Sequence, residues 1–550
     1  MTRSREIALS RLADEHFDVL VVGGGITGAG VALDAVTRGL RTALVERHDF
    51  ASGTSSKSSK FVHGGVRYLE QREFRLVYEA LAERQVLLRN APHLVRVLPF
   101  VLPVYARGGV VPRKLSRALG TAMWLYDLTG GARIGRRHQR LAVDEARSLI
   151  PTLRPEGLAP SYLFYDAQAD DARLTLTVVM TAADLGAAVA NHAEVVGLRR
   201  SGDRVVGADV VADGSEIPVA ASVVVNAGGV WSDRVRSLED GADPGDLRPA
   251  KGIHVAVPWG RVRNSVGSII PVRGDRRSIF VAPWGDVAYF GTTDTDYDGP
   301  LDDPPCTPDD VDYLLSAANG LLDVDLDRSD IVGSWAGLRP LLHGAGSERT
   351  ADLSRRHAVH ESAAGVITVT GGKLTTYRRM ASDVVDRIMT RLDRRGRCRT
   401  RTLRLAGAEG IRRSSPGPEP GTADHLLGRY GSGAGAITEL VTADPELGRP
   451  LVEGLPYLRA EAVHAVRDEY ARTLDDILSR RTRARLFGRD ASARAAPDVA
   501  VLVAPELGWD AGDVEREVAD YRASVAAERD AAGLPETPST TVDQALTATS

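Results

Sequence analysis

The 550-residue chain has only two cysteines, Cys306 and Cys398, in unrelated segments and without CxxC spacing. This excludes a disulfide framework and a cysteine zinc site, and a reducing compartment is expected. Long apolar runs are missing too: no stretch approaches the ~18 uninterrupted apolar residues of a spanning helix. The charged segment Met1 to His16 lacks the apolar core of a secretory signal. The expectation is a protein of the cytoplasm or of a membrane surface. Charge of one sign is absent as well, since 69 basic residues against 73 acidic ones leave a net −4. No global field draws the chain to nucleic acid, so an anionic ligand must be held by local clusters. Lysine is scarce: Lys57, Lys60, Lys114, Lys251 and Lys373 are the only five among the 69 basic residues. A lysine kept in so arginine-rich a chain either sits there by chance or marks a place where a compact ammonium serves and a planar fork does not.

The remainder is ordinary globular material, 43 % hydrophobic and 26 % charged, long enough for two to four domains. Asp18-Val-Leu-Val-Val22 reads as a strand that stops at Gly23-Gly24-Gly25-Ile-Thr-Gly28, followed by a helical pattern to Gly39 and a second strand, Thr42–Val45, ending in Glu46. Glu70 to Asn90 reads as an amphipathic helix. Short strands are expected from Glu194 into Asn226-Ala-Gly-Gly229 and from Val366 into Gly371-Gly372, so three strands stop at glycines, as open α/β sheets do where a ligand crosses their carboxyl ends. Residues 251–345 read as part of a second, substrate-facing sheet. Ser414–Gly421 is a Pro/Gly/Ser linker, the chain beyond it is helical, notably Ala460 to Phe487, and the last residues from about 531 form a polar tail.

The glycine run carries the first chemistry. Gly23, Gly25 and Gly28 permit a tight turn and close approach of a pyrophosphate, the helix N-terminus presents oriented N–H groups, and Glu46 is placed to accept ribose hydroxyls. The other reading is a glycine-rich turn without a ligand, which Glu46 disfavours. FAD is preferred to NAD, because the motif lies at the N-terminus and distant glycine-ended strands suggest one extended cofactor touched by separated parts of the chain.

From Ser58-Ser-Lys-Phe-Val-His-Gly-Gly-Val-Arg-Tyr-Leu-Glu70 the chain resembles the FAD-dependent glycerol-3-phosphate dehydrogenase family. The resemblance continues through Asp170-Asp-Ala-Arg-Leu174, Asn226-Ala-Gly-Gly-Val-Trp-Ser232, Lys251-Gly-Ile-His254, Gly291-Thr-Thr-Asp-Thr-Asp296, Ala336-Gly-Leu-Arg-Pro-Leu341 and Gly371-Gly-Lys-Leu-Thr-Thr-Tyr-Arg378. It spans roughly residues 15 to 490. Gly228 stands where alanine is usual, Phe61 where leucine is common, and Arg349 to His357 matches loosely. The resemblance implies an α/β fold: a Rossmann-type FAD-binding domain of the glutathione-reductase-like or D-amino-acid-oxidase-like kind, a β-sheet substrate domain and a C-terminal helical domain. On this reading 15–405 is the oxidoreductase core, with FAD-binding parts at about 15–90, 150–235 and 345–395 and substrate-binding parts at about 91–149 and 236–344. Beyond the core come a linker (406–423), a helical domain (424–530) and a disordered tail (531–550). The implied reaction is oxidation of sn-glycerol 3-phosphate to dihydroxyacetone phosphate, with FAD reduced and reoxidised by membrane quinone.

Such a reaction needs a phosphate clamp, an acceptor for the alcohol proton and a flavin beside the carbinol carbon. Arg67, Tyr68, Arg339, Arg355 and Lys373 stand in or near motifs resembling the family's substrate site, and guanidinium forks suit phosphate oxygens. The catalytic candidates are His254, as the general base or else as a core histidine, and Arg339, which can also polarise the developing alkoxide. Thr54, Ser58, Ser59, Lys60, His63, Gly64, Gly228, Gly372, Lys373, Leu374 and Thr375 complete the expected cofactor contacts. Within that set His63 is expected to orient its loop, and Lys373 to Thr376 to close over the pyrimidine end of the flavin. No metal is expected.

Arg113 to Tyr126, basic first and then ending in Trp and Tyr, has the composition of an interfacial helix, or of a buried helix with a basic end. Quinone use in the family favours peripheral attachment to the cytoplasmic membrane. A homodimer is compatible with this reading. The competing readings are an oxidase that passes electrons to oxygen and a catalytically silent flavoprotein; retention of Arg67, His254, Arg339 and Lys373 speaks against the latter.

Overall fold

The computed structural model of the protein describes residues 4–65, 73–105, 116–242, 245–272, 277–342, 357–411 and 421–538. Among these residues the strands form two sheets of eight and ten strands. The path of the first sheet runs Ala358–Glu361, Ile367–Thr370, Ser215–Asn226, His16–Val22, Thr42–Val45, Ala188–Ala190. Its centre is parallel, with Val22 opposite both Val45 and Asn226, and Asn226 opposite Thr368. That register follows from near-continuous apolar strands, Val19, Val21 and Leu44 being fully buried, as expected of a parallel sheet covered on both faces. It also aligns the glycine turns at the ends of three of these strands along one edge of the sheet. The helix Ile26–Thr37 opens directly after the first turn and is buried along much of its length by small residues, Gly28 to Ala32 among them.

The second sheet runs Thr295–Asp296, Leu247–Pro258, Val287–Gly291, Ser278–Trp284, Gly267–Pro271, Val95–Tyr105, Leu158–Ala169, Phe61–Val62, with Gly333–Leu342 paired along Leu247–Pro258. The β-rich runs within 251–342 therefore lie in a second sheet, with the helix Pro308–Leu321 between them. Leu158–Ala169, assigned from sequence to the FAD-binding part, instead pairs over most of its length with Val95–Tyr105 in this second sheet. The strand is buried without a break from Ser161 to Ala169, so its own pattern does not separate the two sheets and the long-range pairing decides.

The C-terminal region is helical but interrupted. Ala460 to Phe487 is not one helix: Arg459–Asp468 ends, Asp476–Arg481 is a π-helix, and Arg483 takes a left-handed φ of 73° before Ala484–Phe487. The break lets Asp476, Arg480 and Arg481 meet the chain beyond Thr42–Val45, where Asp49 accepts from Arg480 Nε at 2.5 Å and from Arg481 Nη2 at 2.7 Å. The polar tail starts later than its composition suggests. Ala532 and Leu534 are buried, and the Thr537 amide donates to Asp490 at 2.9 Å. The linker residues 412–420, and 539–550, lie outside the described residues.

Candidate functional site

The turn at the end of His16–Val22 has no room for side chains. A methyl group at Gly28 would lie 1.9 Å from the Gly23 carbonyl oxygen, and Gly23, at a φ of 109°, sits 2.6 Å by the same measure from the Ala227 oxygen. Backbone cannot yield as a flexible side chain can, so both positions require glycine. The helix Ile26–Thr37 starts at Gly25, which brings no capping side chain of its own, while Ser55 Oγ accepts from the Ile26 amide at 2.9 Å; a helix N-terminus of this kind favours an anion. Glu46 accepts from the Gly24 amide at 2.6 Å and from the His48 amide at 2.9 Å. Burial raises its carboxyl above the usual range, partly offset by those amides, and each oxygen keeps a lone pair for a ribose hydroxyl. Gly228, whose amide donates to Asn226 at 3.1 Å, borders the same edge. Glycine cradle, helix N-terminus and carboxylate fit a dinucleotide.

From this edge the loop 54–65 leads into a cavity of about 560 Å³ between the two sheets. Thr54, Ser58, Ser59 and His63 line one side, Gly372, Lys373, Leu374 and Thr375 another, and His254, Thr292, Asp294 and Arg339 project from the second sheet. Thr375 Oγ1 accepts from the His63 amide at 3.1 Å, joining the two cofactor-side segments. Thr54 donates to the Leu338 carbonyl at 2.5 Å, tying the loop to the strand that carries Arg339. Arg339 donates to Asp294 at 3.0 Å and to Thr292 Oγ1 at 3.1 Å, which aims its guanidinium along the cavity wall. His254 is 2 % exposed and stacks on Trp335 with centroids 4.8 Å apart and planes at 8°. Its Nε2 bonds Ser59 Oγ at 2.8 Å. Burial first, then Lys60 and Arg339, hold its imidazole well below 6.5, so it is neutral at physiological pH. Glycines pave the floor beneath these groups: a methyl on Gly291 would meet His254 Cδ2 at 2.0 Å, and one on Gly252 would meet Arg339 Nη2 at 2.6 Å.

Several expected contacts differ. Lys60 is not in the cavity wall: its ammonium is buried, donating to Asp171 at 2.9 Å and to the Ser56 carbonyl at 3.3 Å. A charge with a carboxylate partner beneath the loop is stabler there than turned toward the cavity. Ser58 faces the cavity but directs its hydroxyl to Asp171 at 2.7 Å. Gly64 does not line the cavity; its amide donates to Asp166 at 3.2 Å. Arg67, Tyr68 and Arg355 lie outside the described residues. Reading the sequence missed Asp166, a cavity-lining carboxylate that accepts from Tyr126 at 2.8 Å and from Arg84 at 2.5 Å. It missed Trp335 and Asp294 as well. Asp294 stands within the Gly291–Asp296 motif, but none of the three was singled out there, since each works through residues distant in sequence. Tyr126 is buried by this bond, so it is not part of an interfacial aromatic end, whereas Trp124 and Leu128 of the helix Ser116–Leu128 are 50 % and 79 % exposed.

The family model described as FAD dependent oxidoreductase matches residues 18–378, and the C-terminal domain of alpha-glycerophosphate oxidase matches 398–514. Glycerol-3-phosphate dehydrogenase 2 of Mycobacterium bovis is 43 % identical over 95 % of this chain and 90 % of its own. The chain belongs to the FAD-dependent glycerol-3-phosphate dehydrogenase family. The human mitochondrial glycerol-3-phosphate dehydrogenase is 39 % identical over 92 % of this chain and 73 % of its own. The glycerol-3-phosphate dehydrogenase of Bacillus halodurans, solved with FAD, superposes with a TM-score of 0.76 at 29 % identity, covering 95 % of this chain and 96 % of that one. The protein is thus an FAD oxidoreductase of this family.

Proposed function

We propose that the protein oxidises sn-glycerol 3-phosphate to dihydroxyacetone phosphate and passes the electrons to a membrane quinone. The observation that carries this reading is the meeting of Arg339, His254 and Lys373 around one cavity that also borders the cofactor loops. FAD, when bound, supplies the two-electron acceptor. Arg339, oriented by Asp294 and Thr292, offers charge-assisted donors to the phosphate or to the developing alkoxide. His254, uncharged at neutral pH, offers the lone pair of Nδ1 for the alcohol proton when its Nε2–H donates to the Ser59 hydroxyl. Lys373 and the neighbouring Thr375 close the cofactor side, where a cation favours electron-rich flavin. Arg67, Tyr68 and Arg355 belong to the same reading as further phosphate and substrate contacts.

For the acceptor, the supporting feature is the helix Ser116–Leu128. Its Trp124, Leu125 and Leu128 are exposed at 50 %, 38 % and 79 %, and Arg137 lies 5.9 Å from the Trp124 ring. Apolar residues beside a cation suit a headgroup boundary. Among the described residues no helix is long and apolar enough to cross a membrane, so attachment on this reading is peripheral.

The test is anaerobic addition of sn-glycerol 3-phosphate to the flavin-loaded protein, followed by a quinone analogue or by oxygen. Bleaching of the flavin band with fast recovery in quinone supports the reading. Fast recovery in oxygen with stoichiometric peroxide assigns an oxidase, and a band that never bleaches refutes the substrate.

A further inference from the structure

Among the described residues, Lys60 is the retained lysine whose ammonium is sealed beneath the cavity loop, at 1 % exposure. It lies 4.8 Å from the centroid of the Trp335 ring, the same indole on which the His254 imidazole stacks. Beneath the loop it is held by Asp171 and the Ser56 carbonyl. Asp171 also accepts from Arg483 of the C-terminal region at 2.9 Å and from Ser58 at 2.7 Å. Among the described residues the groups around His254 are Ser59 and Lys60 from the loop, Trp335 and Arg339 from Gly333–Leu342, and Tyr289, whose ring centroid is 6.3 Å away. None is a carboxylate. Among the described residues His254 Nδ1 has no hydrogen-bond partner.

An imidazolium at this position would carry two N–H donors. Nε2–H has Ser59, but Nδ1–H would be a buried donor without an acceptor, which is costly. The second cost is electrostatic. A cation stacked on Trp335 would share the ring with the Lys60 ammonium, and two cations near one indole repel through a medium of low polarity. The carboxylates that could relieve this are committed, Asp171 to Lys60, Arg483 and Ser58, and Asp294 to Arg339.

We propose that Lys60 is a positioning residue for proton transfer: its buried ammonium, seated against Trp335, keeps His254 uncharged so that the imidazole is ready to accept the substrate proton. Burial and Arg483 lower the Lys60 ammonium to about 8 against the pull of Asp171 and Asp170. It therefore stays charged through the acid range in which His254 would otherwise protonate. This explains why a lysine stands there in a chain where arginine is the rule: a compact ammonium fits between Asp171, the Ser56 carbonyl and the indole. The inference rests on the reading of His254 as proton acceptor.

Flavin-loaded Lys60→Gln, which keeps a donor for Ser56 and Asp171 while losing the charge, is compared with the parent in kcat/KM from pH 5 to 9. The assay uses sn-glycerol 3-phosphate and an artificial electron acceptor. The acid limb is expected to move up by about one pH unit, a roughly tenfold loss within the limb, with the deficit closing as the pH rises to 8. A limb that does not move, or an equal loss at every pH, overturns the proposal. Where Lys60→Gln fails to load flavin, Lys60→Met repeats the test with the stem's volume kept; failure of both to load assigns Lys60 to folding and also overturns it. His254→Gln separates the two readings. If it retains parental kcat/KM and pH dependence, the proton-acceptor reading fails and the proposal with it. If it loses activity while Lys60→Gln leaves the limb in place, the Lys60 proposal alone fails.

Discussion

Gly291→Ala tests whether the seat of His254 is as tight as the geometry states. Gly291 faces His254 across the antiparallel pairing of Leu247–Pro258 with Val287–Gly291. The added methyl would lie 2.0 Å from His254 Cδ2 and 2.7 Å from Cγ and Nε2. Carbon contacts settle near ~3.5 Å, so the ring must move by roughly 1.5 Å. It cannot do so freely, since it stacks on Trp335 and its Nε2 holds the 2.8 Å bond to Ser59. Overpacking of this size costs about 1–3 kcal/mol, which a domain stable by about 5–15 kcal/mol survives. Catalysis is more sensitive, because a reacting group displaced by about 1 Å loses on the order of a hundredfold in rate. The expectation is therefore a folded, flavin-loaded enzyme with its melting temperature lowered by a few degrees and kcat/KM down about a hundredfold. The assay pairs flavin absorbance and a thermal melt with steady-state kinetics. Parental kcat/KM in the variant would refute the argument that His254 must stay where it is.

Arg339→Ala removes the donors held by Asp294 and Thr292, and kcat/KM is expected to drop about tenfold for each 1.4 kcal/mol lost while flavin stays bound; unchanged kinetics removes Arg339 from the site. Glu46→Ala deletes the carboxylate that bonds the Gly24 and His48 amides, and the flavin-to-protein absorbance ratio should fall; full occupancy would count against its ribose role. Leu128→Asp on the exposed helix should lower cosedimentation with anionic vesicles without altering activity in detergent-free buffer, and equal vesicle binding would dismiss this face as the docking surface. His93 is held down to about 4, by burial and then by Arg173. Its folded form binds fewer protons than its unfolded form between about pH 6.5 and 4, so acid favours unfolding by up to about 3 kcal/mol across that window. A melting-temperature series in which His93→Gln shows the same acid dependence as the parent would disprove this.

The first sheet and its glycine turn were legible because their signals are local. Gly23, Gly25, Gly28 and Glu46 stand at spacings set by one strand, turn and helix, and the glycines closing the strands at Asn226 and Thr370 repeat the pattern. The second sheet was legible in kind from its β-rich runs. Its extent was not, since Leu158–Ala169 joins it through a partner more than fifty positions away. The helical reading of Ala460 to Phe487 holds in kind, but its interruptions were not legible for a related reason: a π-helix and a left-handed residue turn Arg480, Arg481 and Arg483 toward Asp49 and Asp171.

By itself the sequence determined the dinucleotide turn, the presence of two sheets and a helical C-terminal region, and which charged residues were candidates for chemistry, because residue type and short-range spacing carry that information. Only the tertiary structure decided which of them meet. It moved Lys60 from the cofactor wall to a buried bond with Asp171, supplied Asp166, Asp294 and Trp335, and set His254 on Trp335 over Gly291 with Ser59 at its Nε2. Burial and long-range pairing fix the protonation and direction of a side chain, and neither can be read from its neighbours in the chain.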